Sequence, residues 1–174
     1  MLNAYVITGN EDKPKIIHHR CAEVLVPDFL DLSPLRYVWC RSPAEYQTLF
    51  HILKPQTRLR YQGKFGVGAK ADVHFRRWTF IEEVSLESNR ITFRFNPSTL
   101  TPGPFHAKVE ITSHKHGKLS WTEPQFRSSP TFVLTIPQIT SPVDYEVQFT
   151  LDDQLSYSSH FKAADSGLIG TRKS

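Results

Sequence analysis

Few residues in this chain carry chemistry that leaves a signature. Cys21 and Cys40 are its only cysteines in 174 residues, and no Cys-x-x-Cys spacing joins them. That excludes a structural zinc site built on cysteine alone and a disulfide-dense secreted scaffold. No apolar run approaches the roughly 18 residues that would read as a membrane-spanning helix. The opening Met1-Leu-Asn-Ala-Tyr-Val-Ile-Thr-Gly-Asn has no basic region ahead of an apolar one, and Glu11, Asp12 and Lys13 follow at once. These features predict no signal peptide and a reduced, intracellular, cytoplasmic setting.

Catalytic signatures are missing as well. The chain has no Gly-x-Ser-x-Gly elbow and no Cys-Gly-Ser-Cys-Trp sequence. Gly63-Lys-Phe-Gly66-Val-Gly68 continues into neither a Walker loop nor a dinucleotide fingerprint, and it reads as a flexible hairpin tip. Cys21 lies close to His18 and His19, but strand spacing alone makes no dyad of them. Glu82-Glu83 and Asp152-Asp153 are adjacent pairs that point to opposite faces of a strand, so neither forms a shared-proton dyad. The expectation is a non-enzymatic protein with no cofactor.

Aromatic rings and prolines are abundant. Twelve Phe, 6 Tyr and 3 Trp accompany 12 Pro, with 39% apolar residues overall. That balance suits a sheet protein whose core is made of few, large side chains. The net charge of +4 permits an acidic partner without demanding one.

Residues 4–8 and 16–26 read as two extended segments around Gly9-Asn-Glu-Asp-Lys-Pro14, an N-terminal hairpin. Leu35-Arg-Tyr-Val-Trp-Cys40 reads as a short, mostly buried strand. Ser42-Pro-Ala-Glu45 is a capping box with proline at the first helical position. Tyr46, Leu49, Phe50 and Leu53 then form one apolar stripe, so the spacing predicts one short helix over about 42–54, closed by Lys54-Pro55. From residue 57 the period becomes two. Ile91/Phe93/Phe95, Val109/Ile111, Phe132/Leu134/Ile136 and Tyr145/Val147/Phe149/Leu151 each alternate with polar residues. Turn-forming breaks recur between them. The pattern predicts a single mainly-β domain over 1–174, an antiparallel sandwich or barrel of about ten strands. Its hairpin and helix occupy 1–55, its sandwich 56–162 and a tail 163–174, and the C-terminal half is patterned like an immunoglobulin-like sandwich.

Three functional readings follow. The leading one is a module that binds a protein partner through strand edges and loops. The second is nucleic-acid binding by the basic and aromatic strands of 58–80, where six of seven charged residues are basic. Arg58, Arg60, Lys64, Lys70, Arg76 and Arg77 would grip phosphates while Tyr61, Phe65 and Trp78 stack bases. There the alternation slips, with Val73 and Phe75 on odd positions and Trp78 and Phe80 on even ones; a bulge at Arg76-Arg77 would re-aim both arginines. The third is a carbohydrate-binding sandwich using Trp121 and Tyr157 as a stacking platform, against the core role that alternating rings usually have. His106, His114 and His116 allow a three-imidazole metal site, but Ser113-His-Lys-His-Gly-Lys118 reads first as a polar hairpin turn.

Overall fold

The computed structural model describes residues 36–68 and 78–163. The N-terminal hairpin, Cys21 with His18 and His19, the phase slip at Arg76-Arg77, and the tail beyond 163 lie outside the described residues. The chain divides into two units, Met1–Arg36 and Tyr37–Ser174, and every element below belongs to the second.

Strand β1 (Val38–Cys40) leads into helix α1 (Pro43–Ile52). The capping box forms as its spacing requires: the Glu45 amide donates to Ser42 Oγ at 3.1 Å, and Pro43 occupies the first turn. Glu45 does not reach back to Ser42; its carboxylate instead accepts from the Arg41 amide at 2.8 Å and pairs with the Arg41 guanidinium.

The helix ends one residue before Leu53, which turns to extended geometry. Pro55 both blocks further helix and opens a second one, α2 (Pro55–Tyr61), because its fixed φ suits a first helical position. A 3₁₀ turn (Gln62–Lys64) and a short strand β2 (Phe65–Val67) follow. This corrects two expectations. Residues 58–61 are helical rather than a basic strand, and the glycine cluster is no hairpin tip, since β2 lies parallel to β1 with Trp39 opposite Gly66.

Seven strands make the sandwich: β3 (Ile81–Leu86), β4 (Arg90–Phe95), β5 (Phe105–Ser113), β6 (Gly117–Phe126), β7 (Thr131–Thr135), β8 (Tyr145–Leu151) and β9 (Gln154–Phe161). They form antiparallel sheets of order β3-β4-β7 and β6-β5-β8-β9, packed together with no barrel closure. Among the described residues there are nine strands and two α-helices, where about ten strands and one helix were expected. The sandwich is immunoglobulin-like in its strand exchange between sheets, with one difference. In the constant-type domain the fourth strand joins the first, second and fifth. Here the fourth, β6, hydrogen-bonds to the third, β5.

Period-two patterning accounts for the core. Ile91, Phe93 and Phe95 of β4 and Val147 and Phe149 of β8 are buried, while their neighbours Arg94, Glu146 and Gln148 face water. Phe93 meets Phe149 edge-on across the layers, with ring centroids 4.8 Å apart. Phe126 and Phe132 extend the same aromatic cluster. Tyr145 donates its hydroxyl to the Glu87 carbonyl at 2.6 Å, tying β8 to the end of β3. Burial there pushes its pKa upward, with the neighbouring Tyr157 and Glu87 adding to the effect.

Helix α1 packs against β3 and β9, the edge strands on one side of the sandwich. Ser42 Oγ donates to the Ile81 carbonyl at 2.7 Å, and Thr48 Oγ1 accepts from the Ser158 amide at 3.0 Å. One side chain therefore caps the helix and covers a sheet edge, and another satisfies a donor of β9 that would otherwise be orphaned.

Candidate interaction surfaces

The side of the sandwich opposite α1 carries no helix among the described residues. There β6, the edge of the four-stranded sheet, runs beside β7, the edge of the three-stranded one, and the rings of Trp121 and Phe132 meet at 4.8 Å. Leu119, Trp121, Phe132 and Leu134 are half-buried along this seam and packed on the core.

The main-chain polarity of β7 can be read from its two flanking rungs. The Phe95 amide donates to the Pro130 carbonyl at 3.0 Å, and the Ile136 amide donates to the Asn89 carbonyl at 2.7 Å. Antiparallel rungs alternate, so Phe132 and Leu134 also bond toward β4. Thr131, Val133 and Thr135 thus turn their N–H and C=O groups to the open edge. Thr131 O already accepts from Ser129 Oγ at 2.8 Å. Val133 and Thr135 have no such partner among the described residues, and Val133 is 40% exposed.

β6 presents a different edge. The Asp152 amide donates to the His106 carbonyl, which assigns the even-numbered residues of β5 to β8 and the odd-numbered ones to β6. Lys118, Ser120, Thr122 and Pro124 therefore face outward on β6. Pro124 offers no N–H, and Lys118 is charged and ion-paired with Glu110 at 2.7 Å, devices that discourage strand addition. Lys108 and Lys118 both donate to Glu110 and hold its carboxyl below the usual range. β7 has neither device within its five residues.

The residues that the sequence singled out fall in several places. Arg58 does not project freely. Its Nε donates to the Leu53 carbonyl at 2.7 Å and its Nη2 to the His51 carbonyl at 3.0 Å, so it closes the C-terminal end of α1. Phe65 is half-buried, edge-on to Phe50 at 5.5 Å. Tyr61 lies close to two cations, with Arg60 5.4 Å and Lys64 5.6 Å from its ring centre. Trp78 is 55% exposed. Lys70, Arg76 and Arg77 lie outside the described residues.

Two rings that the sequence reading assigned to a buried strand are exposed instead. Tyr37 and Trp39 meet at 4.2 Å, and each comes close to a glycine of the 66–68 segment. A Cβ on Gly66 would stand 2.2 Å from the Tyr37 hydroxyl, and one on Gly68 would stand 2.3 Å from the Trp39 ring. Glycine at these positions is what lets the rings rest on the backbone.

The stacking pair proposed for sugars is not a platform. Tyr157 is fully buried, its hydroxyl donating to Gln47 Oε1 at 3.0 Å, and burial pushes its pKa up to about 12. Trp121 belongs to the seam described above.

The three histidines are also separated. His106 sits at the start of β5 and His114 just past its end, so the strand holds them about 25 Å apart at ~3.3 Å per residue. His114 and His116 lie in the turn joining β5 to β6, as the polar hairpin reading expected. Among the described residues no group of three or more His, Cys, Asp or Glu side chains is arranged to hold a metal ion. Cys40 is a buried thiol whose pKa is pushed up to about 11, first by burial and then by the Glu45 charge. That holds it in the unreactive form.

No protein-family model matches this chain, and no curated protein matches its sequence. No helix among the described residues is long and apolar enough to cross a membrane.

Proposed function

We propose that this protein is a non-enzymatic binding module that takes an extended segment of a protein partner as an added strand on β7. The observation that carries this reading is the outward main-chain edge of Val133 and Thr135, next to the half-buried Leu119–Trp121–Phe132–Leu134 seam. An added strand would gain main-chain hydrogen bonds from the edge and specificity from alternate apolar side chains set against the seam. The partner segment is therefore extended, with apolar residues at every second position. The buried thiol of Cys40 fits an intracellular setting for such a module.

The test is selection of binders from a random peptide library, followed by amide hydrogen exchange on the complex. Binding peptides should protect the Val133 and Thr135 amides and shift the Trp121 indole resonance. Thr135→Pro removes one outward N–H and leaves the bonds to β4 intact, so it should fold and lose peptide affinity about tenfold. Peptides that protect other amides and bind Thr135→Pro unchanged would sink the proposal.

A second reading is single-stranded nucleic-acid binding. It rests on the exposed Tyr37 and Trp39 rings close to glycine and on Tyr61 beside Arg60 and Lys64. Aromatic stacking and phosphate contacts together predict affinity that drops steeply with salt. Trp39→Ala should lower oligonucleotide affinity about tenfold, on the order of one stacked base. Weak binding that this variant leaves unchanged would remove the reading.

A further inference from the structure

A cleft of about 230 Å³ opens between α1 and β9, away from the β7 edge, lined by Tyr46, Gln47, Phe50, His51, Arg58, Ser159 and His160. Each of its polar side chains can donate a hydrogen bond, and none of the lining residues is Asp or Glu. Gln47 is oriented by a buried neighbour: Tyr157 donates to its Oε1, so the amide nitrogen remains available to donate elsewhere. Arg58 is held in place by the two carbonyls at the end of α1, leaving one terminal nitrogen of its guanidinium unused by those bonds. The rings of His51 and His160 stand 5.9 Å apart, one presented by the helix and one by the strand.

We propose that this cleft binds a phosphoryl group, as inorganic phosphate or a small phosphate monoester. Arg58 supplies the fixed positive charge, and His51 and His160 supply two more when protonated. Glu146, opposite His160 on β8, is the one acidic group acting on His51, so the protonated cleft carries an excess of two positive charges. That matches a monoester dianion, which forms above a second pKa near ~6. Without an anion, burial first and then the His160 and Arg58 charges hold His51 below its ordinary pKa, against the opposing pull of Glu146. A phosphate dianion bound beside the imidazoles reverses the electrostatic part of that balance, so binding takes up protons. Affinity for a monoester should therefore be stronger near about pH 6 than near about pH 8, because His51 must gain a proton when the anion binds.

The experiment is an NMR titration of the imidazole resonances of the full chain with inorganic phosphate and, separately, with O-phosphoserine. The expected result is saturable movement of the His51 and His160 signals, with the His51 titration midpoint raised at saturation. His51→Gln and His160→Gln together should keep the fold, because neither ring anchors the core, and weaken phosphate binding at least tenfold. A third arm uses a short single-stranded oligonucleotide, whose diesters carry one negative charge each. Movement with the oligonucleotide alone would overturn the proposal and favour the nucleic-acid reading. Movement that never saturates, or that the double variant leaves unchanged, would also overturn it.

Discussion

At the scale of single residues, the side chains that matter most here do two jobs at once. Arg58 looked like a phosphate-gripping cation, but it closes α1 and lines the α1/β9 cleft. Glycines 66 and 68 looked like a flexible tip and are seats for two rings. Neither role was legible in the sequence, because each depends on which chain segment arrives opposite the residue. His51 yields a pH prediction. Its folded pKa is depressed below the ordinary 6.5, so the unfolded chain binds the extra proton between those two values. Its contribution to stability is therefore complete above pH 6.5 and is lost as pH falls toward the folded value. In phosphate-free buffer, the urea midpoint should drop less between about pH 7 and about pH 5 in His51→Gln than in the natural sequence. Equal slopes in the two proteins would contradict the assignment.

At the scale of elements, local signals predicted best where the element obeys its own chemistry. Ser42-Pro-Ala-Glu marked the start of α1 to the residue, since a cap and an N1 proline act within one turn. The strands β4, β5 and β8 were equally clear, because one buried face imposes strict alternation. Arg58-Leu-Arg-Tyr61 misled because a short run of alternating residues fits a strand, and only the preceding proline hinted at a new helix. Ser42 gives the sharpest element-level prediction. Ser42→Ala deletes the helix cap and leaves the Ile81 carbonyl of β3 without its donor. The expected loss is about 2 kcal/mol, the sum of a lost cap and a buried hydrogen bond. Thermal unfolding measures it, and a loss no greater than that of an exposed Ser120→Ala control would refute the coupled role.

At the scale of the whole molecule, the sandwich is held by a continuous aromatic interior, and among the described residues a helix covers one side only. Phe149 touches Phe93, Phe95, Phe126 and Phe132, drawing on both sheets and on the end of β6. Phe149→Ala should cost about 3–5 kcal/mol and loosen the seam at Trp121 through Phe126 and Phe132, readable as a shift in Trp fluorescence at low denaturant. Phe161→Ala, at the other end of the core beside Tyr145, should leave that signal in place. If the two variants moved it equally, the proposed link from core to seam would be wrong. The two proposed sites are also separate: the cleft lies on the helix side, whereas the β7 edge lies on the opposite one.

What the sequence determined by itself was local: the mainly-β class, the start of α1, the turns, and which face of each long strand is buried. Periodicity and capping act over a few residues, so they are written into neighbouring letters. What only the tertiary structure decided was which edges remain open and which side chains meet. Val133 and Thr135 look like any strand residues until β7 is placed at the end of its sheet. His51 and His160 are 109 positions apart and come together only because Thr48 and Gln47 of α1 bond to β9. Sheet order and helix docking come from long-range burial, whose partners no local pattern names.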